Sequence, residues 1–108
     1  MCVNPNQNTL SQSSNGQVYW CENCKHFSVI FNTSCMLFKR ADYKSFIDLL
    51  ESLGEEDFKY VIGREHKVLL KNNFSTVGIA LSVDEALELV DLMAEGILIY
   101  EANRLIST

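Results

Sequence analysis

The feature that most restricts what this chain can fold into is an internal correspondence. Shifted by forty residues, its two halves align without gaps. His26 falls on His66, Val29-Ile30 on Leu69-Leu70, Asn32 on Asn72, Cys35 on Ser75 and Asp42 on Ser82. Further along, Ile47 falls on Leu87, Leu49-Leu50 on Leu89-Val90, Leu53 on Met93 and Glu55 on Glu95. Turn, cap and helical apolar stripe coincide in type and place, which reads as one strand–strand–helix unit used twice. A hairpin and an amphipathic helix each have one apolar face to bury. The expected fold is therefore α+β: two strand–strand–helix repeats forming an antiparallel sheet, with both helices on one face. The 108 residues suit a single domain, and a chain of that length buries roughly 65% of its unfolded surface.

In the first unit, Val18, Tyr19 and Trp20 are strand formers that run into Cys21-Glu22-Asn23-Cys24. Phe27, Val29 and Phe31 then share one face at period two. Asn32-Thr33-Ser34 supplies turn chemistry, and Cys35-Met36-Leu37-Phe38 reads as the return strand. Tyr43, Phe46, Ile47, Leu50 and Leu53 recur at helical spacing, with Asp42 as the expected N-cap and Gly54 as the expected left-handed C-terminal residue. Glu55 to Asp57 is an acidic connector, and Phe58 to Ile62 a short strand ended by Gly63.

The second unit repeats the plan. Val68, Leu69 and Leu70 form a strand, Asn72-Asn73 a turn, and Ser75 to Leu81 another strand. There Val77, Ile79 and Leu81 point one way and the smaller Thr76, Gly78 and Ala80 the other, a face open to close packing. Ser82-Val83-Asp84-Glu85 is a capping box that opens the last helix. Its expected core stripe is Val83, Ala86, Leu87, Val90, Met93, Ala94 and Ile97. Leu92, Ile99 and Ile106 fall on nearly the opposite side at seven-residue spacing. Either the helix is covered on two sides or broken near Gly96, or these three form a self-association seam. Residues 1–17, rich in Asn, Gln and Ser, read as a polar arm ahead of the domain 18–108, whose units are 18–57 and 58–108.

Charge narrows the function. Nine Lys and Arg against fourteen Asp and Glu leave a net charge of −5, which opposes a nucleic-acid surface or a polybasic membrane patch. No run approaches the ~18 apolar residues of a membrane span. The first seventeen residues hold no hydrophobic segment of a secretory or lipoprotein signal. The expectation is a cytoplasmic protein, in whose reducing surroundings a Cys-x-x-Cys pair is more often a metal or redox feature than a structural disulfide.

Cys21-x-x-Cys24 places two thiolates where they can grip one tetrahedral ion at Zn–S distances of about 2.3 Å. A closed zinc site needs further ligands, and the candidates are Cys2, His26, Cys35 and His66. With Asn32-Thr33 at the hairpin tip, Cys35 lies opposite Ile30, close to 20 Å along the strand from the knuckle, and is expected to be a small core residue. His66 is expected to be an ordinary strand histidine. His26 is two residues past the knuckle, and Cys2 lies on an arm long enough to fold over it. The expected zinc ligands are therefore Cys2, Cys21, Cys24 and His26.

A redox reading of the pair has less behind it, because reactive Cys-x-x-Cys thiols draw acidity from a helix N-terminus, and this knuckle leads into the strand Phe27 to Phe31. A Cys21–Cys24 disulfide would be a slow oxidation product. A Gly-rich phosphate loop, a Gly-x-Ser-x-Gly elbow and a His-Glu-x-x-His motif are all absent from the sequence. Asp84, Glu85, Glu88 and Asp91 read as a solvated helix side, and Trp20 with Tyr19 has no basic groove in which to stack a base. The expected function is thus a small non-enzymatic binding or interaction protein with a structural zinc knuckle. Its partner would be another protein, or a second copy met through Leu92, Ile99 and Ile106. The alternative is a thiol-dependent redox protein or sensor.

Met1-Cys2, Leu10-Ser11-Gln12, Gly16, Val18, Cys21-x-x-Cys24, a strand ending Phe31-Asn32 and a Leu81-Ser82-x-x-Glu85 helix start complete the pattern. Taken together they resemble a small family of unknown function from Bacteroidetes, with an N-terminal Met-Cys and a Cys-x-x-Cys knuckle, across nearly the whole chain. The resemblance implies a cytoplasmic protein in which Cys2 belongs to a motif beside the knuckle, while Cys35 and His66 stand outside it. It supplies no catalytic residues.

Overall fold

The computed structural model describes residues 9–71 and 78–107. In chain order the elements are β1 (Thr9–Gln12), β2 (Gly16–Cys21), β3 (His26–Phe31), β4 (Ser34–Phe38), α1 (Arg40–Glu51), a 3-10 turn (Glu55–Asp57), β5 (Tyr60–Ile62), β6 (Glu65–Lys71), β7 (Gly78–Ser82) and α2 (Val83–Ser107). The fold is α+β. Its strands are antiparallel throughout, in the orders β1-β2-β3-β4 and β5-β6-β7.

The expected plan recurs as three strands and a helix, β2-β3-β4-α1 and then β5-β6-β7-α2. The strands form two sheets rather than one shared sheet. Among the described residues no ladder joins them; α2 packs against strands of both and takes over that role. The forty-residue offset holds to within one residue where β3 and β6 begin, at His26 and Glu65, and stretches to forty-three by the start of the helices, at Arg40 and Val83. The Asn72-Asn73 turn, Ser75, Thr76 and Val77 lie outside the described residues.

Period-two alternation sets the first core face: Phe27, Val29 and Phe31 are buried, opposite Trp20, Val18 and Gly16. Trp20, Phe27, Tyr43 and Tyr100 meet with ring centroids 4.4 to 4.9 Å apart. Such tilted and edge contacts are worth about 0.5–1.5 kcal/mol per pair beyond area burial. In the second sheet Val68, Leu70 and Leu81 face the core, and Leu69 and Ala80 share the other side.

Helix α1 buries Tyr43, Ile47 and Leu50 as the spacing requires, but its ends differ from expectation. It starts at Arg40 behind Lys39, which makes no side-chain cap, so Asp42 lies in the first turn, where a carboxylate favours the helix dipole. It closes at Ser52 in a right-handed conformation, and Gly54 is extended at φ −109°.

Helix α2 opens with the expected capping box. The Ser82 amide donates to Glu85 Oε1 at 2.9 Å, and the Glu85 amide donates to Ser82 Oγ at 3.3 Å. The helix runs unbroken through Gly96. Its core stripe is rotated from the expected one: Ala86, Leu89, Leu92, Met93, Gly96 and Tyr100 are buried, whereas Val83 and Leu87 are exposed. The helix is covered on two flanks, by the first sheet and by α1. Leu92 is consequently inside, not on an outer seam, while Ile99 and Ile106 are exposed.

Gly96 is the point of closest approach. Tyr43 Oη donates to Met93 O at 2.6 Å and Ser11 Oγ donates to Leu92 O at 2.7 Å. A Cβ at residue 96 would lie 2.8 Å from Tyr43 Oη and 3.1 Å from Ser11 Oγ. Ser11 belongs to β1, a stretch the composition assigns to the polar arm. Its Thr-Leu-Ser-Gln sequence has little apolar surface, yet pairing with β2 satisfies its backbone, and Leu10 and Ser11 are buried. The following turn is tied to α2 by Glu88, which accepts from Ser13 Oγ at 2.6 Å and from Asn15 Nδ2 at 2.8 Å. Among the described residues no helix is long and apolar enough to cross a membrane.

Candidate functional site at the cysteine turn

Strand β2 ends at Cys21 and β3 begins at His26, paired across the ladder, so Glu22 to Lys25 form a four-residue hairpin loop. Its last residue, Lys25, takes the left-handed conformation at φ +58°. There its amide donates to Cys21 O at 2.8 Å. The same curl turns the Cys24 amide toward Cys21 Sγ at 3.3 Å. The spacing of the motif thus becomes a closed turn with both cysteines at one end of the sheet.

Glu22 holds this turn from outside. Trp20 Nε1 donates to Glu22 Oε2 at 2.6 Å, and Lys25 Nζ pairs with Glu22 Oε1 at 2.6 Å. The Lys25 ammonium, followed by the Trp20 indole, keeps the Glu22 carboxyl below its ordinary range. Trp20 stacks on Phe27 and Tyr100, so the loop is anchored to the aromatic core. Arg104 lies over the Tyr100 ring at 5.5 Å and donates to Tyr100 Oη at 2.6 Å. The sequence carries no pattern that singles out this Trp20–Glu22–Lys25 clasp; it arises from the curl of the loop.

Cys21 is buried, at 3% exposure, and is a free thiol. Cys24 is half-buried and disulfide-bonded. Since Cys21 and Cys35 are both free, the two knuckle cysteines are not bonded to each other. His26 is half-buried, and a directly opposed cross-strand pair such as Cys21 and His26 has Cβ atoms about 4.5–5.5 Å apart. Cys2 lies outside the described residues. Among the described residues no three His, Cys, Asp or Glu side chains gather as a group able to hold a metal ion. The turn therefore brings Cys21, Cys24 and His26 to one end of the hairpin without assembling them around a common centre.

Cys35 pairs with Ile30 as the hairpin register requires, but it is exposed rather than a core residue. Strand β4 is an edge whose outward side is uncovered, as Leu37 at 52% exposure also shows. His66 is exposed in the second sheet, opposite Val61.

Comparison with curated proteins and with solved structures returns no match. Residues 1–100, which take in both sheets and most of α2, match a sequence family, and the chain belongs to that family of unknown function (DUF6686).

Proposed function

We propose that the protein is a small non-enzymatic binding module whose N-terminal arm is fastened to the β2–β3 turn by zinc. The ligands are Cys2, Cys21, Cys24 and His26. The observation that carries the reading is the bond from the Cys24 amide to Cys21 Sγ within a closed four-residue turn. Amide bonds of this kind orient sulfur ligands and tune them toward a metal. The reducing cytoplasm would keep both thiols available. A second copy is the partner, met through the last turns of α2, where Leu98, Ile99 and Ile106 are exposed. Sedimentation of the chain should then show a dimer that Ile106→Glu dissociates.

The zinc reading is tested by metal analysis of the reduced, untagged chain together with a thiol count. About one zinc per chain, with thiols masked until chelator is added, is the expected result. Four freely reacting thiols and no zinc would overturn it. The bonded state of Cys24 favours a second reading, a thiol-dependent redox protein or sensor using the same pair. Zinc needs thiolates, so the two states of the knuckle exclude each other.

A further inference from the structure

We infer that the outer edge of β7 docks an extended, basic segment of a partner protein, which adds to the second sheet as a further strand. The site uses none of the zinc or self-association residues. β7 ends the order β5-β6-β7, so among the described residues one of its edges has no strand beside it. Along that edge runs a cleft of about 300 Å³, walled by residues 78–81 and by the β3–β4 turn at Asn32 and Thr33, with Glu85 at its α2 end. Consecutive strand residues border one cleft through the strand's edge, because their side chains alternate between the two faces. The register fixes which backbone groups that edge presents. In an antiparallel ladder, residues that bond the neighbouring strand alternate with residues that point away from it. The Ser82 amide donates to Glu85 Oε1, so the pair Lys67 and Ser82 is a non-bonded one. By period two, Ala80 and Gly78 also direct N–H and C=O outward. Two donors and two acceptors in a row are the template on which an extended peptide pairs. The strand, Gly-Ile-Ala-Leu-Ser, carries no charge and no proline, and its register with β6 runs without a bulge, so nothing blunts the edge.

Side chains select the occupant. On one face, an added strand lies beside Gly78 and Ala80, whose small size leaves room for a larger neighbour. Leu69, 46% exposed, stands directly opposite Ala80 on that face, so a branched apolar residue is favoured there. On the other face, which Val68, Leu70 and Leu81 share, the strand looks toward α2. The opening turns of that helix carry Asp84, Glu85 and Glu88, and from residue 72 to residue 103 the sequence holds no Lys or Arg. Lys67 approaches Glu85 only to 4.0 Å. Charge complementarity therefore asks for lysine or arginine at every second position, alternating with the apolar residues.

The probe is a capped peptide of alternating valine and lysine, added to the full chain while amide hydrogen exchange is read residue by residue. At saturation the Ala80 and Gly78 amides should exchange more slowly by about tenfold or more. A peptide N-methylated on its valines, which pair with Ala80 and Gly78, should not bind, whereas one N-methylated on its lysines should bind as the parent does. Ala80→Pro removes an outward donor and no ladder bond, so the chain should fold and bind about tenfold more weakly. Unchanged exchange at Ala80 with millimolar peptide would overturn the inference. So would equal binding by the valine-methylated peptide, or by a peptide of alternating valine and glutamate. Slowing that grows with protein concentration before any peptide is added would overturn it as well, by giving the edge to a second copy. The peptide arms decide the matter without any variant having to fold.

Discussion

Replacing Gly96 by alanine tests the packing of α2 directly. On helix propensity alone the change should help, because alanine in a helix interior is favoured over glycine by about 1 kcal/mol. The structure predicts the opposite. The new methyl would meet Tyr43 Oη at 2.8 Å, Ser11 Oγ at 3.1 Å and Val18 Cγ1 at 3.1 Å. Val18 is held in the first sheet and Tyr43 in α1, so neither can give way freely. Overpacking a well-filled core costs roughly 1–3 kcal/mol. Disturbing the buried bonds from Tyr43 to Met93 O and from Ser11 to Leu92 O adds about 0.5–1.5 kcal/mol each. After the propensity gain, the net loss is about 1–5 kcal/mol, or roughly 5–25 °C in melting temperature for a domain of this size. Urea and thermal unfolding followed by circular dichroism would measure it. Because the first contact is the Tyr43 hydroxyl, Tyr43→Phe should absorb part of the penalty, so the double variant should lose less than the two singles combined. A Gly96→Ala chain as stable as the natural one would refute the close approach of β1 and α1 to this helix.

The capping box predicts a loss of about 1 kcal/mol for Ser82→Ala in the same unfolding assay. Ser13 and then Asn15 hold the Glu88 carboxyl below its ordinary value of 4.5. The stability it gives is present above that value and is lost as pH falls through the lowered one. Glu88→Gln should therefore flatten the acid limb of a stability–pH curve. Burial pushes the Tyr43 phenol above its ordinary value of 10.0, so its share of stability is complete below pH 10 and lost as pH rises beyond it. Tyr43→Phe should accordingly lower neutral stability by about 0.5–1.5 kcal/mol and make the alkaline limb shallower. Zinc affinity, measured by competition with a chromophoric chelator, should fall far more in Cys21→Ser than in His26→Gln.

Elements governed by local signals were legible in the sequence. Alternation marked Phe27, Val29 and Phe31 as one buried face, and the Ser82–Glu85 box marked the start of α2. The hairpin register followed from a two-residue tip, where Asn32 adopts φ +53°. Features set by tertiary partners were not legible. β1 has too little apolar surface to announce itself and exists because β2 offers it an edge. The phase of the α2 core stripe was misjudged because a helix covered on two flanks has no single apolar stripe; of the alternatives open for Leu92, coverage on two sides is the one that holds, and a seam at that residue does not. Cys35 was assigned to the core because small size does not reveal whether an edge strand's outer side is covered.

At the knuckle the repeat acts as an internal comparison. Cys21 pairs with His26 in the first unit, and forty residues on, Val61 pairs with His66 in the second. The histidine recurs at the same register position where no sulfur faces it, so its place belongs to the repeated plan of the hairpin. What differs is the loop. The second unit turns through Gly63 and Arg64, with Gly63 at φ +66°, and closes on the pair Ile62 and Glu65. The first spends four residues, ends on Lys25, and so gains room to curl the Cys24 amide back onto Cys21 Sγ. The lengthened loop and the two cysteines are what set the first unit apart from its copy. The chemistry of the knuckle therefore belongs to Cys21 and Cys24 first, with His26 a neighbour supplied by the fold.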